Sequence, residues 1–307
     1  MTRQGLRHGV RMMGYPLVAP SGASHESTTV SGMSTVAQAL AHAVRSGLET
    51  HGDKARAARL NRRRRGPLTA LGVTVPDIVR VVALTTSDPR QQPRDADTWA
   101  EAVRTLWTDE PTLESRYAAV ALACRPRYRD FAGTPRSTGL YRDLIDDHPT
   151  IDTVNALATC CLPLPLEASP ETEVPVLKSW AVVGSPWLRR AAIICQERRG
   201  VRTDGALLKA AVVANLFDRR PMIRDCLPHA IGVYVDALPS AASCVRRTLD
   251  SWRDELPRSL TEAIEATLPP CSSIDSDPAP LGESSLHAEN TSTDPAPEPR
   301  ATPDERE

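Results

Sequence analysis

The sequence predicts an all-α protein, built as a solenoid of about 12–13 antiparallel helices with disordered N- and C-terminal segments. Three observations support this fold class. Apolar residues recur at helical spacing, as in Tyr117, Val120, Ala121 and Cys124. Aromatic residues make up only 4% of the chain, and the apolar residues are mainly Ala, Leu and Val, which favour packed helices over a β-sandwich. No strand pair or hairpin signal is found.

The predicted helices follow one another with short breaks at Pro, Gly, Asp or Thr. The first is capped by Ser34 or Thr35 and ends at Gly47 or Gly52, whereas later starts are marked by Pro149–Thr150 and by Pro186. Helix pairs recur about every 35–47 residues, as in HEAT-like repeats. The predicted helices span residues 35–47, 52–65, 75–86, 96–108, 112–128, 137–147, 150–161, 173–183, 186–199, 204–217, 222–236, 241–253 and 257–267.

Composition divides the chain into three parts. Residues 1–32 are rich in Gly and Ser without periodicity and are predicted to be a disordered extension. Residues 33–268 form the predicted HEAT-like helical solenoid. Residues 269–307 are acidic, rich in Pro and Ser and poor in bulky apolar groups, and are predicted to be a disordered tail.

The net charge of −1 conceals an asymmetry between the two ends. Residues 1–67 carry eleven Lys and Arg against three Asp and Glu, and residues 269–307 carry two against nine. A basic segment attracts polyanions such as nucleic acid, but it is equally compatible with a solvated charged surface.

The sequence lacks the signatures of several other functional classes. It has no C-x-x-C pair, no metal-binding His or Cys spacing, no P-loop and no dinucleotide-binding or nucleophile-elbow motif, so we predict no metal and no cofactor. Most cysteines lie in apolar runs, typical of reduced, buried thiols in the cytosol. His42, His51, His148 and His229 are predicted to be surface or capping residues. No apolar run is long enough to span a bilayer.

Four segments occur in a distinctive order: TLESRYAAVALA (112–123), HPTIDTVNALA (148–158), SPWLRRAAIICQ (185–196) and DCLPHAIGVYVDAL (225–238). Together they resemble the AlkD-like DNA alkylation repair family of HEAT-repeat DNA glycosylases, from about Thr35 to Leu268. The pairing of W-L-R-R-A-A-I with A-I-G some 40 residues later carries most of the specificity. Glu114 and Arg116 match a family helix and are expected to stabilise helix ends.

The resemblance implies binding of duplex DNA along a concave basic face and removal of N3- or N7-alkylated purines. In the family two tryptophans and an aspartate contact the deoxyribose of the lesion, and an arginine clamps the backbone phosphate. The aspartate is thought to stabilise the oxocarbenium-like sugar and to orient water. The implied partner is double-stranded DNA, alkylated or distorted.

Position by position, the chain keeps only part of this site. The tryptophan and aspartate of the family's W-D-x-x-D motif fall on Ile151 and Asn155, with Asp152 kept between them. The arginine falls on Arg190, with Arg189 beside it. The second tryptophan falls on Val233, and an arginine three residues later falls on Asp236. Asn155 is neutral and cannot offset a cationic sugar, and Asp152 is a doubtful substitute because it points about 60° away on the helix.

Other candidate DNA contacts have equally ordinary explanations. Trp187 is either a DNA contact or an anchor at a helix start, and Asp152 also suits the positive end of a helix dipole. The run Arg62, Arg63, Arg64 and Arg65 can neutralise phosphates or simply end a helix.

Three functions therefore stay open at this point. They are an alkylpurine glycosylase with weak or altered activity, a non-catalytic DNA-binding solenoid, and a scaffold that binds a protein partner. In each case we expect a monomer in the cytoplasm, associated with the nucleoid where DNA is the partner.

Overall fold

The computed structural model describes residues 35–63 and 68–270, and in these residues it is helical without any β-strand. The predicted all-α class is therefore confirmed. The helices are α1 (Thr35–Thr50), α2 (Lys54–Arg63), α3 (Val75–Thr85), α4 (Ala96–Thr108), α5 (Leu113–Ala123), α6 (Arg129–Ala132), α7 (Pro135–Asp146), α8 (Ile151–Ala156), α9 (Pro163–Ala168), α10 (Pro170–Trp180), α11 (Pro186–Ile194), α12 (Gly205–Val213), α13 (Pro221–Arg224), α14 (Cys226–Ala237), α15 (Ala242–Asp250) and α16 (Arg258–Glu265).

Side-chain caps set many of the helix starts. Thr74, Asp95 and Thr134 each accept a hydrogen bond from a first-turn backbone amide of α3, α4 and α7. Thr112 and Thr150 form reciprocal capping boxes with Ser115 and Thr153. These caps explain why the predicted boundaries agree closely with the observed ones.

Two predicted helices are wrong as continuous elements, and two short helices, α6 and α9, were missed. The helix predicted for 112–128 ends at Ala123, and a 3₁₀ turn at Pro126–Tyr128 and the short α6 follow. Residues 222–236 divide at Asp225 into α13 and α14. Helix α9 has the sequence PLPLEA, and its two prolines disfavour a helix by propensity. The first proline stands at N1, however, where its missing N–H costs nothing.

The helices pack mainly against near neighbours in the chain, as a solenoid requires. Helix α1 packs on α3 and α4, α5 packs on α8, α7 and α8 pack on α11, α11 packs on α14, and α14 packs on α16. The core is built from small aliphatic side chains with two fully buried tryptophans, Trp99 and Trp107. The solenoid class predicted from the sequence is confirmed.

Gly72 and Glu114 fix the corner between α2 and α3. The Glu114 carboxylate is buried and accepts hydrogen bonds from the backbone amides of Leu71 and Gly72, each at 2.8 Å. Gly72 has a φ of +84°, and a Cβ there would lie 2.3 Å from the Asp53 carbonyl oxygen. Only glycine fits this position. Glu114 is therefore structural, but it holds the loop before α3 and not a helix end as predicted.

The cysteine prediction holds in part. Cys161, Cys195 and Cys226 are buried, whereas Cys124 and Cys160 are partly buried and Cys244 is exposed, so burial was wrong for Cys244. The Sγ atoms of Cys124 and Cys161 lie 3.3 Å apart.

The proposed boundaries fall largely outside the described residues. The compact unit built by the helices ends at Leu268. The predicted disorder of residues 1–32, almost all of 269–307, and the side chains of Arg64 and Arg65 lie outside the described part of the chain.

Candidate functional site

Helix α8 contains Ile151 and Asn155, which the resemblance assigns to a tryptophan and an aspartate position. Thr150 is the N-cap, so capping is not the role of Asp152, which lies in the first turn. Ile151 is 47% exposed, an unusual place for a large aliphatic side chain. Asn155 lies one turn further on and is partly buried.

A buried arginine holds the loop that leads into α8. Arg116 donates from Nη1 to the carbonyl oxygens of Asp147 and His148 at 3.1 and 2.9 Å, and from Nη2 to the Asp147 carboxylate at 3.2 Å. Its guanidinium also lies 4.6 Å from the ring centroid of Trp107. Burial lowers the pKa of Arg116, and Asp147 partly offsets that effect. The structural role expected for Arg116 is confirmed, and through it α5 positions the start of α8.

Helix α8 continues into a π turn at Leu157–Cys161, with the Leu162 amide bonded to the Leu157 carbonyl. Pro163 follows, and its missing N–H and its ring disrupt the regular α-helical bonding of the preceding turn. Turns of this kind inside helices are found frequently at functional sites.

Helix α11 supplies the arginine that meets α8. Ser185 caps the helix by accepting from the Leu188 amide, and Pro186 occupies N1. Arg190 is only 8% exposed; its Nε donates to Asn155 Oδ1 at 2.8 Å and its Nη1 donates to the Met222 carbonyl. None of the described residues accepts a hydrogen bond from its Nη2. Two residues that are 35 positions apart in the chain are thus brought into contact.

The neighbouring arginine points elsewhere. Arg189 Nη2 lies 2.8 Å from Asp218 Oδ2, in an ion pair that also includes Arg220. Trp187 is partly buried and packs against the core beside the start of α11. The structure therefore joins Arg190 to Asn155, but not Arg189.

Helix α14 brings the second tryptophan position to α11. Val233 is partly buried and lines a small cleft together with Ile193 and Glu197. Its neighbour Gly232 allows α16 to approach, because a Cβ there would lie 3.1 Å from Thr267 Cβ. Asp236 is exposed on the same helix.

Glu197 is a carboxylate that the sequence did not single out. Its side chain is 16% exposed, and one of its oxygens lies 3.7 Å from His229 Nε2. Burial raises the pKa of Glu197, opposed by the charges of His229, Arg190 and Arg198. His229 was predicted to be a surface or capping residue; it is exposed, and its partner is this carboxylate. No motif spacing links Glu197 to His229, so only the fold reveals the pair.

Comparison with known proteins now bears on this arrangement. The sequence profile of the DNA alkylation repair enzyme family matches residues 44–234, more than half of the chain. The protein belongs to this family. The match spans α8, α11 and most of α14, and thus every element of the site described above.

A solved structure of a predicted DNA alkylation repair enzyme from Enterococcus faecalis shares the fold. The two superpose with a TM-score of 0.57 at 14% sequence identity, over 70% of this chain and 95% of the other. At that identity the likeness concerns the fold alone. No curated protein sequence matches the chain.

The other predicted DNA-contacting residues, Arg62 to Arg65, lie apart from the α8–α11 contact or outside the described residues. Arg62 and Arg63 are exposed in the last turn of α2, where the helix dipole favours cations. Within residues 35–63 and 68–270, no group of three or more His, Cys, Asp or Glu is placed to hold a metal ion. In the same residues no helix is long and apolar enough to cross a membrane.

Proposed function

We propose that the protein recognises alkylated duplex DNA at the surface formed by α8, α11 and α14, and that it releases N3- or N7-alkylated purines slowly. One observation carries this proposal. The 2.8 Å hydrogen bond from Arg190 Nε to Asn155 Oδ1 joins the two family positions that bear most directly on phosphate and sugar. Family membership makes DNA the expected partner.

The chemistry of the lesion explains how little the site needs to provide. Alkylation at N3 or N7 leaves the purine cationic, so the base departs as a neutral leaving group. Positive charge then develops on the deoxyribose, and a nearby carboxylate stabilises it. Asn155 is almost the same shape as aspartate but lacks the charge, and the loss of such a group commonly reduces the rate by about 10²–10³-fold.

We assign phosphate binding to arginines, first those of α11. Arg190 Nη2 is the donor left for a phosphate, whereas Arg189 must first release Asp218. Arg62 to Arg65 and Trp187 are further proposed contacts. Each phosphate neutralised by an arginine steepens the dependence of affinity on salt.

The open site favours larger adducts among these lesions. Ile151 and Val233 stand where the resemblance places tryptophans. Their aliphatic side chains cannot make cation–π interactions with a cationic base, which are worth about 0.5–2 kcal/mol each. These smaller side chains also leave more room beside the lesion, so we expect adducts bulkier than methyl to be accepted.

A second candidate function is binding without catalysis. It is favoured by Asn155 itself, because the neutral amide is already engaged by Arg190 and contributes no negative charge to the site. In this case the protein binds damaged duplexes through the same surface and leaves the glycosidic bond intact.

Base release from duplexes containing N7-methylguanine, or a bulkier N7 adduct, separates these functions. We expect the natural protein to bind both duplexes and to release base slowly. The variant Asn155→Asp/Ile151→Trp/Val233→Trp should release N7-methylguanine faster. Binding without release by the natural protein would establish the second function. Absence of both binding and release in both proteins would contradict the proposal and leave the scaffold hypothesis.

A further inference from the structure

Glu197 lies where α11 ends against α14, in a setting built to hold a carboxylate. Its side chain is 16% exposed, and His229 of α14 is its partner at 3.7 Å. Arg190 and Arg198 are close enough to influence its charge. A half-buried carboxylate flanked by three potential cations stays ionised more readily than one that is buried alone.

Glu197 lies close to Arg190 although it is not part of the same helix. It stands three residues beyond the end of α11, where its backbone amide donates to the Ile194 carbonyl oxygen, and the charge of Arg190 acts on its carboxylate. Arg190 meets Asn155 of α8, and Glu197 meets His229 of α14.

A small cleft links Glu197 to the second tryptophan position. Its volume is about 10 Å³, roughly the space that one water molecule requires. Its lining includes Glu197, Val233, Thr203 and Tyr234. A water held in this cleft would contact a carboxylate and lie beside the residue that replaces the family tryptophan.

We propose that Glu197, positioned by His229, orients and deprotonates the water that attacks the sugar, and so supplies the carboxylate function that is missing at Asn155. This role rests on the proposed glycosylase function. The C1′–N bond breaks, and its electron pair neutralises the cationic base. Water oxygen then bonds to C1′, and its proton passes to Glu197 and from there to His229 or solvent.

Burial raises the pKa of Glu197 and thereby makes it a stronger base than an exposed glutamate. The titratable groups that face it are His229 and Cys226 on α14, and Arg190, Arg198 and Cys195 on the α11 side. Base release should therefore rise with pH as Glu197 loses its proton, over a range above that of an ordinary glutamate.

The test is the single-turnover rate of N7-methylguanine release by the full chain, measured across pH with duplex affinity in parallel. Glu197→Gln should reduce the rate by about 10²-fold or more and remove the rise with pH, while duplex affinity changes less than about twofold. His229→Gln should shift the pH profile and leave part of the rate. Glu197→Asp should retain some activity because it keeps the charge.

Glu167→Gln is a matched control, because Glu167 is 18% exposed and paired with Arg129 and Arg202. It should leave both rate and pH profile unchanged. A second test is whether the two sites act independently. Glu197→Gln should reduce the rate of base release less in an Asn155→Asp background, where a carboxylate has been restored.

The outcomes separate the two proposals. A natural protein that releases base, with Glu197→Gln equally active and equally pH-dependent, would overturn the role of Glu197 and leave the glycosylase function standing. Binding without release would overturn the role of Glu197 and leave a DNA-binding protein. Loss of rate in both Glu197→Gln and Glu167→Gln, with lowered unfolding temperatures, would identify a structural effect and also overturn the inference.

Discussion

Arg190 Nε donates to Asn155 Oδ1 at 2.8 Å, and this bond makes an amide the partner of a nearly buried cation. With aspartate at position 155 the two charges would largely cancel. With asparagine the positive charge of Arg190 is not neutralised at that contact, so the site attracts anions more strongly while it loses a stabiliser of cationic sugar.

Arg190→Lys should weaken both stability and duplex binding. A lysine offers one point charge in place of a fork that reaches Asn155 and Met222 together, and the loss should be about 1–3 kcal/mol in the free energy of unfolding. Urea denaturation and duplex titration measure the two effects. Arg189→Lys is the neighbouring control, since its ion pair with Asp218 needs only one donor; equal effects of the two substitutions would contradict the special role of Arg190.

Arg116→Met should destabilise the fold by about 2–4 kcal/mol, because it removes donors to two backbone carbonyls and leaves Asp147 without its partner. Chemical denaturation measures this change. Arg104→Met removes an exposed arginine 3.9 Å from Asp143 and should cost less than about 0.5 kcal/mol. A small effect of Arg116→Met would mean that the loop before α8 is held by other contacts.

Gly72→Ala should lower the free energy of unfolding by more than about 2 kcal/mol. The positive φ of Gly72 and the nearby backbone atoms of Asp53 and Ala57 both exclude a side chain. Gly139→Ala, at an exposed position of α7 with no atom within 4 Å of the added Cβ, should instead stabilise the protein by about 0.5–1 kcal/mol. Thermal unfolding of both variants tests the pair. A stabilised Gly72→Ala would contradict the described corner.

Glu173→Gln should raise stability at neutral pH, by an amount on the order of 1 kcal/mol. Glu173 is buried, accepts from Thr138 Oγ1 at 2.7 Å, and has a second oxygen without a partner among the described residues. Burial raises its pKa above 4.5, although the Thr138 bond opposes the shift. The folded state thus binds this proton more tightly than the unfolded state.

The natural protein should therefore lose stability as pH rises from about the ordinary glutamate pKa through the raised value, and Glu173→Gln should not show that loss. Denaturation at a series of pH values measures the difference. Glu262→Gln is the control, because Glu262 is an exposed partner of Arg258. A pH dependence unchanged by Glu173→Gln would show that this carboxyl titrates normally.

Alkylation should distinguish the cysteines by their surroundings. Burial raises the pKa of both Cys195 and Cys226 to about 12, so their thiols should resist iodoacetamide until the protein unfolds. Cys244 is exposed and should react first. Peptide mapping over time, with each cysteine followed separately, tests this order among the described cysteines; modification of Cys195 as fast as Cys244 would contradict the packing of α11.

The helices were largely predictable because their signals are local. Thr112, Thr150 and Pro186 mark starts that the structure reproduces, and the apolar spacing within each helix identifies its buried face. The PLPLEA helix was missed because propensity describes prolines inside helices and not one placed at the first position.

The site was predictable only where its residues belong to contiguous motifs. Ile151, Asn155, Arg190 and Val233 were proposed as site residues in this way. The pairing of Glu197 with His229 joins residues 32 positions apart in no recognisable pattern, and it depends on how α14 packs on α11. The burial of Arg190 was equally hidden, since a charged residue next to an apolar run is as consistent with an exposed side chain as with a buried one.

The π turn at Leu157–Cys161 also sets the rotational phase between α8 and α9. A bond across five residues accommodates one residue more than an α-helical bond, so the side chains beyond it are offset by roughly 100° from an uninterrupted helix. Deleting one residue from this turn would force either α8 or α9 to rotate, and α9 is fixed by its packing on α10. The number of residues in the turn, more than their identity, therefore keeps Asn155 facing Arg190.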